Sequence, residues 1–570
     1  MFNREVPHKT SADVLAANSQ IASYFNAVDN AVSIGDTNKR YQPVNNTSYG
    51  PPPFIHPNTF TTVIISPTAD NTADIYNGYI SAEMKVKVSI DKTIPVWSDK
   101  DKHTYSTTND GGETVNTDVE VDRELKNPFM LWVGFKDSMD AIEKYEIMAN
   151  GISIYTQNNA IEESYITGCA MPEAAKRGNN FSHVRHKDIF NGKLPYSCGE
   201  YAILSGVSAN STVDITIPLK IDLRRFLPLS NIKYLPAFAG KIELRILFGT
   251  QGLVMAPISP ISCFTTTHGV SKFVIDEITN EFVPVSEPIT MITKYTKPTY
   301  QTTGANMTNQ QPAKTFGKLE AEEVKVHAVM NYVSKCESVI YCFGIASDVY
   351  DALVARYVET PLTFPTQTLS FAPLAAPLKG NETGTTSITL TPRFVDSLFL
   401  LFPMKQTCRT CHKNPLLEKF TLQCGGYGCI PGTSHGTKGS DSAMTLEELQ
   451  NALNVNCDTV CLNKDVVRSL ISIETDFTIG HKSMDSTNFL LGFATETDNT
   501  FQQGQTSNTP ITYTFTCNQK SSSYYYQNVE VPPIVGVLVD STFSIQIRPD
   551  GAPPIVEIGA YDITSPIMIN

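Results

Sequence analysis

Few residues in this chain carry charge. Lysine, arginine, aspartate and glutamate make up 18 % of its 570 residues, against about 25 % in an average soluble protein. The charge that is present leans acidic, with 44 basic and 57 acidic side chains and a net of −13. No basic run offsets that balance. The chain therefore lacks the cationic surface that phosphate-backbone binding requires, and direct nucleic-acid binding is not expected. Tryptophan is also scarce, with Trp97 and Trp132 alone, which argues against an aromatic platform for sugars. No apolar run approaches the ~20 residues of a membrane-spanning helix. The opening Met1-Phe2-Asn3-Arg4-Glu5-Val6-Pro7 has no apolar signal core. Synthesis in the cytosol is the expectation, and the sequons at Asn46, Asn210 and Asn381 then read as chance matches. There is no Gly-x-Ser-x-Gly elbow and no Gly-Lys-Ser/Thr phosphate loop. No histidine–carboxylate set of the kind a cupin-like metal enzyme needs stands out either. The chain is not expected to be an enzyme.

What is plentiful is proline (35), glycine (33) and the polar residues Asn, Thr and Ser. That mixture suits many short strands joined by polar turns, and a long helical bundle would be richer in Ala, Glu, Lys and Leu. The length allows two or more domains. In order, strands are predicted at 61–65 and 80–90, the latter alternating Met84, Val86, Val88 and Ile90 with Lys85, Lys87 and Ser89. Residues 129–135 are nearly all apolar, as in a strand buried on both faces. Residues 145–149, Asn150-Gly151 and 152–155 form a hairpin signal, because Asn-Gly tolerates the positive φ of a type I′ turn. Further strands are predicted at 213–248, 273–285, 324–333, 338–345 and 396–402. Short helices are predicted at 11–25, from Ser347 through Tyr357 with Ser347 as the cap, and after Thr445 and Glu448. Long loops are expected at 98–127 (or an exposed hairpin), 168–212, 359–392 and 430–465.

The chain also echoes itself. Leu131-Trp132-Val133-Gly134-Phe135 precedes Tyr145–Gly151 much as Leu398-Phe399-Leu400-Leu401-Phe402 precedes Phe420–Gly426. Both read as buried strand, connector, half-buried strand and glycine turn. Residues 237–248 have an apparent counterpart in 533–547. A period near 270–300 residues means a duplicated domain rather than a solenoid.

The most informative stretch is Arg225-Phe226-Leu227-Pro228-Leu229-Ser230, then Lys233-Tyr234-Leu235-Pro236-Ala237-Phe238-Ala239-Gly240 and the alternating run Ile242–Phe248. It holds no nucleophile–base pair and no metal-ligand spacing, and reads as architecture. It resembles the major capsid proteins of polintons, polinton-like viruses, adintoviruses and virophages, within the adenovirus-like double jelly-roll lineage. The resemblance implies an all-β fold of two tandem eight-stranded jelly rolls with long insertions and a few short helices. The expected division is an N-terminal arm (1–55), a first roll (56–290), a linker (291–318), a second roll with a Cys-rich insertion (319–562) and a tail (563–570). The implied function is a major capsid protein that trimerises into pseudo-hexameric capsomers of an icosahedral virion. Its partners would be neighbouring capsomers, a penton protein and minor or cement proteins. The alternative is a carbohydrate- or receptor-binding two-domain β-sandwich.

One motif has metal-like spacing. Cys408, Cys411, Cys424 and Cys429 follow Cys-x2-Cys-x12-Cys-x4-Cys, and four thiolates so spaced can close a structural zinc site. Disulfides and free buried thiols are the alternatives, with Cys457 and Cys461 as other partners. None of these is catalytic. His183 and His186 lack a third ligand and read as loop histidines, and the run Tyr524-Tyr525-Tyr526 suits an interface.

Overall fold

The computed structural model describes residues 54–67, 71–93, 130–170, 206–258, 323–375 and 531–560 as long stretches. Shorter pieces lie between them, among them 21–29, 198–204, 384–390, 395–405, 408–412, 420–424, 442–453, 489–494 and 511–517. The first half contributes β1 (Phe60–Ile64), β2 (Asn71–Ile90), β3 (Met130–Phe135), β4 (Ile142–Ala149), β5 (Ile152–Gln157), α1 (Ala160–Ala170), β6 (Cys198–Ile203), β7 (Thr212–Asp222), β8 (Ile242–Phe248), β9 (Val254–Ile258) and the short β10 (Val283–Pro284). β11 (Glu323–Gly344) and α2 (Ser347–Glu359) follow. The second half contributes β12 (Leu362–Pro373), β13 (Gly384–Leu390), β14 (Val395–Leu401), β15 (Cys408–His412), β16 (Phe420–Cys424), β17 (Tyr427–Gly428), α3 (Ser442–Leu453), β18 (Leu491–Ala494), β19 (Ile511–Cys517), β20 (Ile534–Gln546) and β21 (Ile555–Ala560).

The second half is a jelly roll by its own register. Leaving aside β15, its short hairpin partner Pro403–Lys405 and β21, its eight described strands pair first with eighth, second with seventh, third with sixth and fourth with fifth. This is one long hairpin rolled up. Its sheets run β12-β20-β14-β18 and β13-β19-β16-β17, all antiparallel. The first half repeats both orders, as β10-β9-β3-β6 and β1-β8-β4-β5. Seven strands correspond in chain order, and helix α1 follows β5 as α3 follows β17. The eighth, edge position is taken by β12 in one roll and by β10 in the other.

That correspondence places β3 on β14 and β4 on β16, as the echo predicts. It corrects the third match. Residues 242–248 occupy the place of β19, and β20 corresponds to β9. Half-buried strands share one alternation whatever their neighbours, so the pattern does not encode which strand is which.

A third sheet lies outside the repeat. β2 runs for 20 residues and β11 for 22, each about 65–70 Å long, with β7 on the other edge of β2. Met84, Val86 and Val88 are buried as predicted. The two strands predicted at 324–333 and 338–345 are one strand, and it hydrogen-bonds to the first half. Register shifts at Met330/Tyr332, Val333/Lys335 and Val339/Tyr341 absorb the mismatch of two strands this long.

Other expectations change as well. The loop predicted at 359–392 holds β12 and β13. β12 contains Pro365 and Pro373, which it can hold because it pairs on one side alone, and an edge position tolerates proline. Within 98–127 the hairpin alternative holds, with Lys100–Thr108 paired to Thr114–Leu125. Ser347 does not cap α2, since Ala346 holds that place without a side-chain bond. Thr445 lies inside α3 and donates to the Gly436 carbonyl. Helix α1 was not anticipated.

Among the described residues, two apolar clusters fill the interior. The larger gathers β2, β7, β8 and β11 with Tyr357, Phe364 and Phe543 from the second half. The smaller holds the second roll's core and includes Tyr165, Ile166 and Cys169 of α1. Each core therefore takes residues from the other half.

Candidate functional site

The joint between the two rolls is built around α1. All eleven of its residues are buried, so it has no polar face turned to water. Its apolar side chains Tyr165 and Ile166 pack with the second roll, and the Tyr165 hydroxyl donates to the Phe489 carbonyl (2.9 Å). Its two acids are adjacent, which on a helix separates them by about 100° and lets them serve different partners.

Glu162 turns toward the second roll. It pairs with Arg409 of β15, whose Nε donates to Glu162 Oε1 (2.6 Å) and whose Nη2 contacts Oε2. Arg409 also donates to Gln251 Oε1 (2.7 Å) and Asn159 Oδ1 (3.2 Å). One guanidinium from the second roll thus binds three side chains of the first, the planar multidentate use for which arginine is suited. The His412 ring lies 4.4 Å from that of Tyr165. Its Nε2 donates to the Arg409 carbonyl (3.0 Å), and burial lowers its pKa to about 3, so it remains a neutral imidazole.

Glu163 turns inward. It accepts from Tyr145 Oη (2.8 Å), Gln157 Nε2 (2.8 Å) and the Leu227 amide (3.0 Å). Burial raises its pKa to about 7, and those hydrogen bonds hold it from rising further. Gln157 also donates to the Leu369 carbonyl of β12 (2.9 Å). Next to it, Asp137 accepts from Arg225 Nη2 (2.9 Å). Asp140 accepts from Ser164 Oγ (2.7 Å) and the Asp137 amide (3.0 Å). The Asp140 pKa is pushed upward, first by burial and then by the Asp137 charge.

The second wall of the joint is the stretch that carries the family resemblance. Arg225 is buried, and Leu227 and Pro228 form a 3-10 turn. Thr366 Oγ1 of β12 donates to the Pro228 carbonyl (2.9 Å) and Asn231 Nδ2 to the Pro365 carbonyl (3.1 Å). Farther along, Asn150 Nδ2 donates to the Pro554 carbonyl (3.1 Å). Sequence reasoning identified that stretch as architecture and missed its partner helix. The available signal was the pair Glu162-Glu163 inside an otherwise uncharged run.

Three of the four motif cysteines lie on described strands, and these belong to two sheets. β15, with Cys408 and Cys411, hairpins with Pro403–Lys405, whereas Cys424 ends β16 in the β13-β19-β16-β17 sheet. Cys411 is buried. The side chains of Cys408 and Cys424 lie outside the described residues, as do Cys429, Cys457, Cys461, His183, His186 and Tyr524, Tyr525 and Tyr526.

No family model and no curated protein matches the chain. Solved structures do. A chain of the Sputnik virophage, from electron cryomicroscopy, aligns with a TM-score of 0.44 and 11 % identity over 93 % of this chain and 90 % of its own. The Faustovirus major capsid protein aligns with a TM-score of 0.40 and 9 % identity over 95 % and 99 %. A chain of the PBCV-1 virus capsid aligns with a TM-score of 0.39 and 8 % identity over 93 % and 98 %.

Proposed function

We propose that the chain is a major capsid protein, a structural shell subunit that works by tiling rather than by turnover. The observation that carries this reading is the duplicated strand order held by a bonded joint. Two like rolls fixed at one angle give a rigid tile with two similar edges. Three such chains close head to tail into a ring of six rolls, since a heterologous contact that completes a rotation makes a closed cyclic assembly. In this reading the chain comprises an arm at 1–55, a first roll at 56–290, a linker at 291–318, a second roll at 319–562 and a tail at 563–570. The strand at 323–344 reaches back to the first roll's long sheet. Other capsomers, a penton protein and cement proteins are its partners in the virion. Mass photometry of the purified chain is expected to give a trimer, and electron microscopy a pseudo-hexagonal outline. A folded monomer or a dimer would overturn the capsomer reading.

In the same reading, Cys408, Cys411, Cys424 and Cys429 staple the connector between the third and fourth strands of the second roll, through zinc or disulfides. Elemental analysis with thiol titration is expected to give about one zinc per chain or two disulfides. All twelve cysteines reactive in the unfolded chain, with no metal in the folded one, would remove the staple.

A further inference from the structure

Among the described residues, the joint holds more buried acid than its cations match. Asp137, Asp140, Glu162 and Glu163 are all buried. Arg409 is matched to Glu162 and Arg225 to Asp137. Glu163 and Asp140 are held differently, by neutral donors: Tyr145, Gln157 and the Leu227 amide for one, Ser164 and the Asp137 amide for the other. We propose that Glu163 and Asp140 make the joint between the rolls pH-sensitive, so that the protonated carboxyls tighten it and their ionisation loosens it.

The groups facing them support this. Tyr145 of β4 and Tyr155 of β5 face Glu163, and Glu162 adjoins it on α1. Asp137 faces Asp140 with a like charge. Arg225 faces both carboxyls and lies 2.9 Å from Asp137. From the second roll come Arg409, matched to Glu162, and His412, which burial keeps neutral. Lys136 faces His412, and Cys198 faces Asp137. Ionising Glu163 or Asp140 would place a second or third negative charge around one shared guanidinium, away from water. Such charges are costly unless paired.

The direction follows from linkage. Both carboxyls titrate higher in the folded chain than in the unfolded one. Their stabilisation is complete below the ordinary carboxylate range and is lost as pH rises toward and through about 7, where Glu163 ionises. Over that window each group steepens unfolding by about tenfold per pH unit.

The test is equilibrium unfolding of the full chain between pH 5 and 8, for wild type, Glu163→Gln and Asp140→Asn. Each amide resembles the protonated carboxyl in shape. Wild type is expected to lose stability as pH rises, and each variant to lose about one proton from that slope. Unchanged slopes in both variants would overturn the proposal. Should a variant not fold, infrared spectroscopy of wild type decides the point. A buried protonated-carboxyl band present near pH 6 and gone by pH 8 supports the proposal, and its absence at pH 6 overturns it. None of these measurements depends on assembly, so a monomeric chain would leave this result intact.

Discussion

At the scale of single residues, the joint depends on few atoms. Removing one partner of a buried ion pair costs about 3–5 kcal/mol, because the other charge is left buried alone. Arg409→Ala is therefore expected to lower the thermal midpoint substantially, and Arg409→Lys to recover part of the loss, since an ammonium cannot reproduce the fork that grips Glu162, Gln251 and Asn159. Calorimetry of both variants checks this, and equal losses would contradict the multidentate grip. A second residue-scale dependence lies in β3. Gly134 pairs directly with Gly199 of β6, and a Cβ on either would meet the Trp132 indole. Gly199→Ala should cost about 1–3 kcal/mol by overpacking, read as a lower denaturant midpoint with a change in Trp132 fluorescence. An unchanged midpoint would mean that the indole has room to move.

At the scale of elements, α1 belongs by chain order to one roll and by packing to the other. Ile166 is fully buried and sits in the second roll's core, close enough that a Cβ on Gly536 of β20 would come within 3.0 Å of it. Ile166→Ala should cost about 2–5 kcal/mol. Hydrogen exchange should quicken in β14 and β20, more than two hundred positions away in sequence. Quickening confined to β4 and β5 would show that α1 serves its own roll alone. This element also marks where the sequence stops being legible. Strands β3, β4 and β8 declare themselves by apolar runs, an Asn-Gly turn and clean alternation, because one or both of their faces are dry. Helix α1 is dry all round, so it has no amphipathic stripe to betray it, and its two acids read as surface residues. Strand β12 was concealed by prolines that matter little at a sheet edge. The wall of the joint was visible as residues 225–240, but what it faced was not, because contact across more than a hundred residues leaves no local period.

At the scale of the whole molecule, each core borrows side chains from the other half. The two rolls are then not independent folding units, and heat should unfold the chain in one transition rather than two. Differential scanning calorimetry checks this. Two resolved endotherms would show that the shared side chains do not couple the rolls.

The long strands β2 and β11 have a further consequence, for how the chain is made. β2 leaves the ribosome before either of its partners; β7 reaches one edge about 130 residues later, and the other edge waits for β11, about 250 residues later. At translation rates of about 5–20 residues per second, that edge stays bare for roughly ten to fifty seconds. A bare strand of this length is a template for the same strand on a neighbouring nascent chain. On one polysome, neighbouring nascent chains run that risk together. Its yield would then depend on whatever shields β2 until residue 344 has emerged.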